Sequence, residues 1–593
     1  MDAILSFAKR SLFNYILAVA TLFTFGLAFW GWWMVYDSDA SYGLQSQFAY
    51  SAHQAIRAFV FSDVYAEYSE EAFSWQIELA GFLGTLIAIS ALIKAVLRVF
   101  LAPIERFRAQ TRRRHIVVLG SRDIALRTAE KLEDGRAVTY HGESREMELS
   151  PVLAVARPPS LTSPFMRKSI SGADRVLVAE STDGQTAETA LTIASYARKS
   201  TVFAILDNPW IASNLRQTHI AGKAEAVEED QLIAVSETRA LARTAIMPVP
   251  PYLLASRAGQ RRIHALFFGF SPLTVAMIEE LLFASIMPDQ DLPRFTILTN
   301  GALKAEAEFN ARHPGLSQET SRSELRDMDI EFIECPANGL SDDALKRLAP
   351  LRAIDPVTIA YVTREDQDEP LAAALALQLS ARQHDLFNAP IFVQSREGNG
   401  LNPVRWQDNF HPCGLYAFGG WHDLAMALGI LDREPDKLAR AYHENYRRVV
   451  WNDTDSSRNW DVLPEAFRMA NRHAVLHLPA KLAALGFDIR PYLSQDDVLS
   501  PNSAPNVAPG VPIIPDDAAR ELLANLEHER WMMERWVTGW RYSKSRDNLR
   551  LRHTDLIPYA QLSEEKKDFD RAFVDWMSEW ITRDSNLGVS RPE

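Results

Sequence analysis

Near the C-terminus, Glu527, Arg530, Trp531 and Glu534 recur at i, i+3, i+4 and i+7. That spacing places four side chains on one face of a helix. A glycine turn follows, then Trp540 and Tyr542, with Arg541 and Arg546 close by. Aromatic planes beside guanidinium groups suit one chemistry well: a flat base stacks on the ring while arginines meet phosphate. The same residue types also build helix–helix cores with internal ion pairs, and both readings stand. His528 and His553 could be general bases or ligands, but as lone histidines they read as hydrogen-bonded structural side chains.

A second candidate lies at Gly120-Ser121-Arg122-Asp123-Ile124-Ala125, directly after the apolar run His115–Leu119. A strand, a glycine turn and an amphipathic helix open a Rossmann-type unit, where fingerprint glycines let backbone approach a pyrophosphate. Only the first glycine is present, and Arg122 replaces the middle one. That arginine could hold phosphate itself or block the site. A ribose-binding acid is expected near Glu143. Dinucleotide binding and a sheet kept for assembly alone are both open.

Elsewhere no nucleophile elbow, P-loop, HExxH motif or carboxylate pair at a glycine turn stands out, so the chain is expected not to be an enzyme. No metal site is expected: Cys335 and Cys413 have neither a CxxC partner nor a histidine cluster, and read as small buried hydrophobes. A formal charge of -13 argues against binding a nucleic-acid polymer. With 593 residues, 47% hydrophobic and 23% charged, the chain can bury several cores.

The segment that must anchor these sites is apolar. No charge occurs from Ser11 to Tyr36, and the run Ile16–Val35 is long enough to cross a hydrocarbon core of about 30 Å. Trp30, Trp32, Trp33 and Tyr36 at its far end read as an interfacial belt. A second span covers about 77–101, so a two-helix transmembrane domain occupies 1–102, with spans at about 15–36 and 77–101. Lys9 and Arg10 precede the pair, and Arg106, Arg108, Arg112, Arg113 and Arg114 follow it. The loop between carries Asp37, Asp39, Asp63, Glu67, Glu70 and Glu71. By the positive-inside rule both termini are expected in the cytoplasm, in a bacterial inner membrane.

Two helices joined by such a loop resemble the plan of the simplest potassium-channel subunit. The stretch Phe61-Ser62-Asp63-Val64-Tyr65-Ala66-Glu67 is only faintly similar to that filter, because both filter glycines are missing. The loop either lines some kind of pore or packs on the helices as an amphipathic segment.

After the arginines, strands at His115–Leu119, Ala137–Tyr140, Val152–Val155, Arg175–Ala179 and Thr201–Leu206 alternate with helices. That pattern predicts a doubly wound parallel sheet over 103–250. Here the sequence resembles the RCK (regulator of conductance of potassium) or Trk-type NAD-binding domain. The resemblance rests on Ile116–Ala125, Gly172-Ala173-Asp174-Arg175-Val176-Leu177-Val178-Ala179, the helix Thr186–Arg198 and Asp207-Asn208-Pro209. It implies a homo-oligomer, a dimer or tetramer, in which nucleotide or ion binding pulls on membrane helices through a short linker.

A second unit over 251–422 repeats the layout. It starts at Arg262–Thr274, with strands at Arg294–Leu298, Ile330–Cys335, Thr358–Val362 and Pro390–Gln394 and a helix at Leu371–Arg382. A tandem RCK-like pair is therefore expected, with Pro250-Pro251 as the hinge. A helical connecting region over 423–510 includes one helix from Ala466 to Leu485 and ends in the loop Leu499–Pro515. The segment 511–593 resembles the RyR (ryanodine receptor repeat) domain, a mostly α-helical module. The match rests on Glu527-His528-Glu529-Arg530-Trp531, Gly539-Trp540-Arg541-Tyr542 and His553-Thr554-Asp555-Leu556-Ile557-Pro558-Tyr559. It implies a nucleotide-like ligand, NAD- or ATP-like or a cyclic nucleotide, at Glu527, Arg530, Trp531, Trp540, Tyr542 and Arg546. Three functions follow from these expectations: a nucleotide-gated ion channel, an anti-phage defence effector, or a non-conducting regulatory subunit of a potassium transporter.

Overall fold

A computed structural model describes residues 2–37, 43–59, 75–132, 138–141, 153–155, 160–212, 214–215, 232–314, 316, 329–336, 339–363, 370–395, 401–404, 410–430, 436–449, 455–460, 463, 465–489, 513–583 and 589–590. The filter-like stretch 61–67, Glu143 and most of the 499–515 loop lie outside these residues. By internal contacts the chain divides into Met1–Val117 with Gly135–Asp174, and Val118–Asp134 with Arg175–Glu593.

The first unit begins with α1 (Asp2–Asp37), α2 (Leu44–Arg57) and α3 (Trp75–Thr111). Within them, Val19–Asp37 and Trp75–Ile93 are long and apolar enough to cross a membrane. Their outer faces are apolar: Leu22, Phe82 and Leu92 are 72%, 65% and 58% exposed, which suits lipid better than water. The helices approach closely at small residues. A Cβ on Gly31 would fall 2.6 Å from Ile77, and one on Gly84 2.2 Å from the Ala58 carbonyl oxygen. The aromatic cluster does not form a simple belt. Trp30 points outward, whereas Trp32 and Tyr36 are buried against Ile77. The loop contributes α2, whose Gln47, Ser51, Gln54 and Ala55 are buried. α3 continues through Pro103 to Thr111, so the expected linker is helix for most of its length.

Beyond it come β1 (His115–Leu119), α4 (Asp123–Lys131), β2 (Val138–His141), β3 (Leu153–Val155), α5 (Pro164–Ile170), β4 (Ala173–Val178), α6 (Asp183–Ala194), β5 (Thr201–Leu206) and β6 (Leu232–Ser236). The sheet order is β3-β2-β1-β4-β5-β6, the doubly wound Rossmann order that places a crevice beside the first strand. Then α7 (Glu237–Ile246) and α8 (Pro251–Arg257) lead to the second sheet.

That sheet contains β7 (Arg262–Phe268), β8 (Asp291–Thr299), β9 (Asp329–Glu334), β10 (Ile359–Val362), β11 (Ile391–Gln394), β12 (Asn402–Pro403) and β13 (Leu415–Phe418). Its order, β12-β13-β11-β10-β7-β8-β9, repeats the first with one added edge strand. Among the described residues its strands pair in parallel, for example with Tyr361 of β10 opposite both Phe267 and Phe392. Strands buried on both faces explain the near-continuous apolar runs. Leu266, Phe268, Leu298, Val362, Leu377 and Ile391 share one core. Among its helices are α9 (Pro272–Ala284), α10 (Ala302–Arg312), α11 (Asp342–Ile354) and α12 (Pro370–Gln383).

A helical region follows: α13 (Trp421–Ala427), α14 (Lys437–Val449), α15 (Glu465–Leu476), α16 (Leu478–Ala484), α17 (Asp517–Val537) and α18 (Glu564–Arg583). The single helix expected over 466–485 is broken at His477, because Pro479 restarts it as α16. α17 starts on an Asp516 cap, whose carboxylate accepts from Ala519 N at 2.8 Å. It ends at Gly539, which has φ +92°.

Gly120 tests the first Rossmann turn. Its φ is +122°, and a Cβ there would fall 1.9 Å from the Ala179 carbonyl oxygen. Gly120→Ala should therefore cost about 2 kcal/mol or more. A thermal melt of the purified variant should fall by several degrees, and an unchanged midpoint would contradict the turn.

Candidate functional site

The four α17 residues that share a face are brought together, but most of their charge is used internally. Arg530 is 1% exposed. Its guanidinium donates to both Glu527 oxygens at 2.8–3.1 Å and to Glu534 at 2.8 Å. Lys481 of α16 adds a second ion pair to Glu527 at 2.7 Å. Glu534 also lies 3.7 Å from His473 of α15. Burial alone would raise the Glu534 carboxyl, but His473 and Arg530 outweigh it and hold it down at about 2. The ionic cluster extends to neighbouring helices: Arg239 and Arg243 of α7 pair with Glu279 and Glu280 of α9 at 2.6–3.3 Å.

Glu527 and Arg530 form the floor of a cavity of about 180 Å³. Trp531, Arg535 and Trp540 line it from α17 and the turn after it, together with His528, Arg546, His553, Asp555, Lys566, Phe569 and Asp570. The opposite wall is Tyr442, His443 and Tyr446 of α14, and Phe467, Ala470, Asn471 and Ala474 of α15. Tyr442 and Tyr446 are i, i+4, and the α15 group is i, i+3, i+4, i+7, so each helix offers one stripe. The rings crowd together. Trp531 and His553 are 4.9 Å apart and edge-on, and Trp540 and His553 are 5.9 Å apart.

His528 is hydrogen-bonded to the Ile557 carbonyl at 2.8 Å and sits 3.3 Å from Asp570. His553 accepts from Asp555 N at 3.1 Å. Burial, with Arg546, Arg535 and Lys566 nearby, pushes His553 down to about 4 despite the opposing Asp555 carboxylate. Asp555 is paired with Lys566 at 3.4 Å. Arg546 lies on the exposed side, its Nε donating to Asn548 at 3.0 Å. Tyr542 does not join the cavity; it is 41% exposed on the short strand Arg541–Tyr542.

This cavity carries the C-terminal motifs. Residues 515–581 match the model of the RyR domain family. No curated protein matches the chain. Among solved structures, the chain is similar to GsuK bound to ADP, at 14% identity and a TM-score of 0.33 over 72% of this chain and 97% of that one. The GsuK channel bound to NAD is similar at 12% identity and a TM-score of 0.33, over 73% and 83%. The GsuK RCK domain is similar at 13% identity and a TM-score of 0.32, over 54% and 76%.

The RyR domain supplies only part of the cavity, since α14 and α15 lie outside residues 515–581. Arg535 escaped the sequence reading although it stands four residues after Trp531, on the same stripe as Glu527. The α14 and α15 wall had no motif to announce it; only its aromatic i, i+4 spacing was visible.

The first Rossmann crevice is arranged differently. Arg122 turns inward and is 12% exposed. It pairs with Asp207, Glu237 and, at 3.5 Å, Asp183, and also donates to the Ile205 carbonyl at 3.0 Å. Its charge is neutralised by the chain itself, and a phosphate approaching it would meet three carboxylates. Gly120 keeps its backbone role, while Glu143 lies outside the described residues. In the second unit, Gly269 has φ +115°. Thr274 and Thr363 hydroxyls hydrogen-bond at 2.7 Å beside that turn.

Breaking the α17 floor should be costly. Arg530→Ala leaves Glu527 and Glu534 buried without their shared cation, an effect of about 3–5 kcal/mol, seen as loss of the cooperative melt. Acid should also destabilise this region. Burial first, then the charge of Lys481, hold His477 well below its ordinary value. A depressed histidine binds protons more readily when unfolded, so its contribution is intact above about pH 6.5 and lost as pH falls below that value. The melting midpoint should decline from pH 6.5 towards 4, and His477→Gln should flatten the decline. A midpoint independent of pH over that window would refute the assignment.

Proposed function

We propose that the chain is a membrane-anchored ligand sensor, acting by binding without catalysis. A small nucleotide-like molecule enters the RyR-domain cavity and controls a conductance through the two apolar helices. The observation that carries this reading is a cavity walled by Trp531, Trp540, Tyr442, Tyr446 and Phe467, with Arg535 and Arg546 beside the rings. Such a wall stacks a flat base while the guanidinium groups meet its phosphate. Its carboxylates Glu527, Asp555 and Asp570 each sit beside a basic group, an arrangement suited to holding a ligand in place.

The positive flanks at Lys9–Arg10 and Arg106–Arg114, against an acidic loop, favour cytoplasmic termini and a cytoplasmic α/β body. A two-helix subunit encloses an aqueous path only as an oligomer, so a symmetric homo-oligomer is part of the reading. α3 runs as one helix from the apolar span to Thr111, directly before the first strand.

The test is ion flux through the full chain reconstituted in liposomes, with adenine nucleotides supplied on the side of the termini. Flux should depend on the nucleotide. Trp531→Ala or Trp540→Ala should weaken the response about 10-fold or more, since stacking on one aromatic ring contributes about 1–3 kcal/mol. Nucleotide binding without flux would identify a regulatory subunit, and ligand-dependent growth arrest of expressing cells would favour the defence effector. A response untouched by both tryptophan substitutions would remove the cavity from the mechanism.

A further inference from the structure

Among the described residues, several buried cations around this cavity are each hydrogen-bonded to a carboxylate. Arg530 has Glu527 and Glu534, Lys481 has Glu527, and Arg239 and Arg243 have Glu279 and Glu280. Arg535 is 6% exposed, yet among the described residues its side chain makes no hydrogen bond and no ion pair. Its Nε is buried without a partner. The guanidinium sits instead among rings, with Cζ 5.1 Å from Trp540, 5.6 Å from Trp531 and 5.8 Å from Phe467. Aromatic faces ease the burial of a cation but do not neutralise it. A charge taken out of water without a counter-ion is retained at a cost to the fold.

The charge of the lining agrees. Four cations (Arg530, Arg535, Arg546 and Lys566) face three carboxylates (Glu527, Asp555 and Asp570), leaving one excess positive charge. His528, which lies beside Asp570, brings the excess to two when protonated. The room is small: about 180 Å³, close to the engineered cavity of about 150 Å³ that accepts one benzene. Room of that size takes one ring or one phosphate group, so a single nucleotide unit is held and part of it stays at the open side beside Arg546.

We propose that Arg535 is the anion seat of this cavity. Its ligand is a nucleoside monophosphate, or one nucleotide unit of a phosphodiester, whose phosphate supplies the missing counter-charge between Trp531 and Trp540. Arg546, at the exposed side, is the second contact to the phosphate. A triphosphate is disfavoured, because its extra charge has no free cation and meets the three carboxylates. The proposal rests on the ligand-sensor reading for the ring, but not for the anion.

The experiment compares the full chain with Arg535→Met and Arg535→Lys in detergent. Its probes are inorganic phosphate, adenosine, AMP and ATP, read by thermal melting and tryptophan fluorescence. Without ligand, Arg535→Met should melt higher by about 2–4 °C, because a chain of similar volume replaces an uncompensated charge. Millimolar phosphate should raise the wild-type midpoint and leave that of Arg535→Met unchanged. AMP should bind at least 10-fold tighter than adenosine or ATP, with Arg535→Lys intermediate. An Arg535→Met that melts lower than wild type, or one that keeps the phosphate shift, would overturn the proposal by making Arg535 structural. A phosphate shift that depends on Arg535, together with no AMP binding, would preserve the anion seat and defeat the nucleotide reading.

Discussion

The C-terminal half of the molecule is organised around one guanidinium taken out of water. Arg530 satisfies two carboxylates, one a turn before it on α17 and one a turn after, and each carboxylate reaches a basic side chain on another helix: Lys481 on α16 and His473 on α15. The desolvation penalty of such charges is offset only when nearly every donor and acceptor is matched. That requirement fixes how α15, α16 and α17 pack, because sliding any helix by one residue would strand a buried charge. An apolar core tolerates such slippage more readily. The cavity is therefore a feature of a rigid frame, and its unmatched member is conspicuous for that reason.

Much of the fold was legible in sequence because parallel strands buried on both faces leave short apolar runs bounded by polar, glycine or proline residues. Ile116–Leu119, Arg175–Val178, Thr201–Leu206 and Ile391–Gln394 all show this pattern. β6 and β13 were missed. Leu232–Ser236 is not followed by the glycine turn that opens each Rossmann unit after His115–Leu119 and Arg262–Phe268, and Leu415–Phe418 is only four residues long. The candidate site was half legible. The α17 stripe could be read from i, i+3, i+4 spacing alone, whereas the facing wall lies about 70 residues upstream and is joined to it only by tertiary packing. Which charges would be paired was not readable at all. Glu527, Arg530 and Arg535 look equivalent on a helical wheel, and geometry separates the floor from the free cation.

The two Rossmann sheets show how a fold can persist while its usual ligand position is refilled. At the first, the glycine that makes the turn is kept and the next fingerprint position carries Arg122, which satisfies Asp183, Asp207 and Glu237 from within the chain. The side chain occupies the crevice beside the first strand, at the position where such sheets commonly take a phosphate. Topology alone thus says little about which surface recognises a ligand.

A sensor needs its recognition site where binding can favour one arrangement over another, and a ligand shifts an equilibrium only by its difference in affinity for the two states. A crevice locked by three ion pairs offers little such difference. A cavity between α14, α15 and α17 offers more, since its walls come from separate segments and Arg535 on one wall has no hydrogen-bonded counter-ion. An anion held there would offset an electrostatic penalty that the empty arrangement retains. Beside this cluster, a second set of ion pairs joins Arg239 and Arg243 of α7 to Glu280 of α9. Around Arg530 every buried charge is matched, and Arg535 is the place in that frame where a ligand's charge would make a difference.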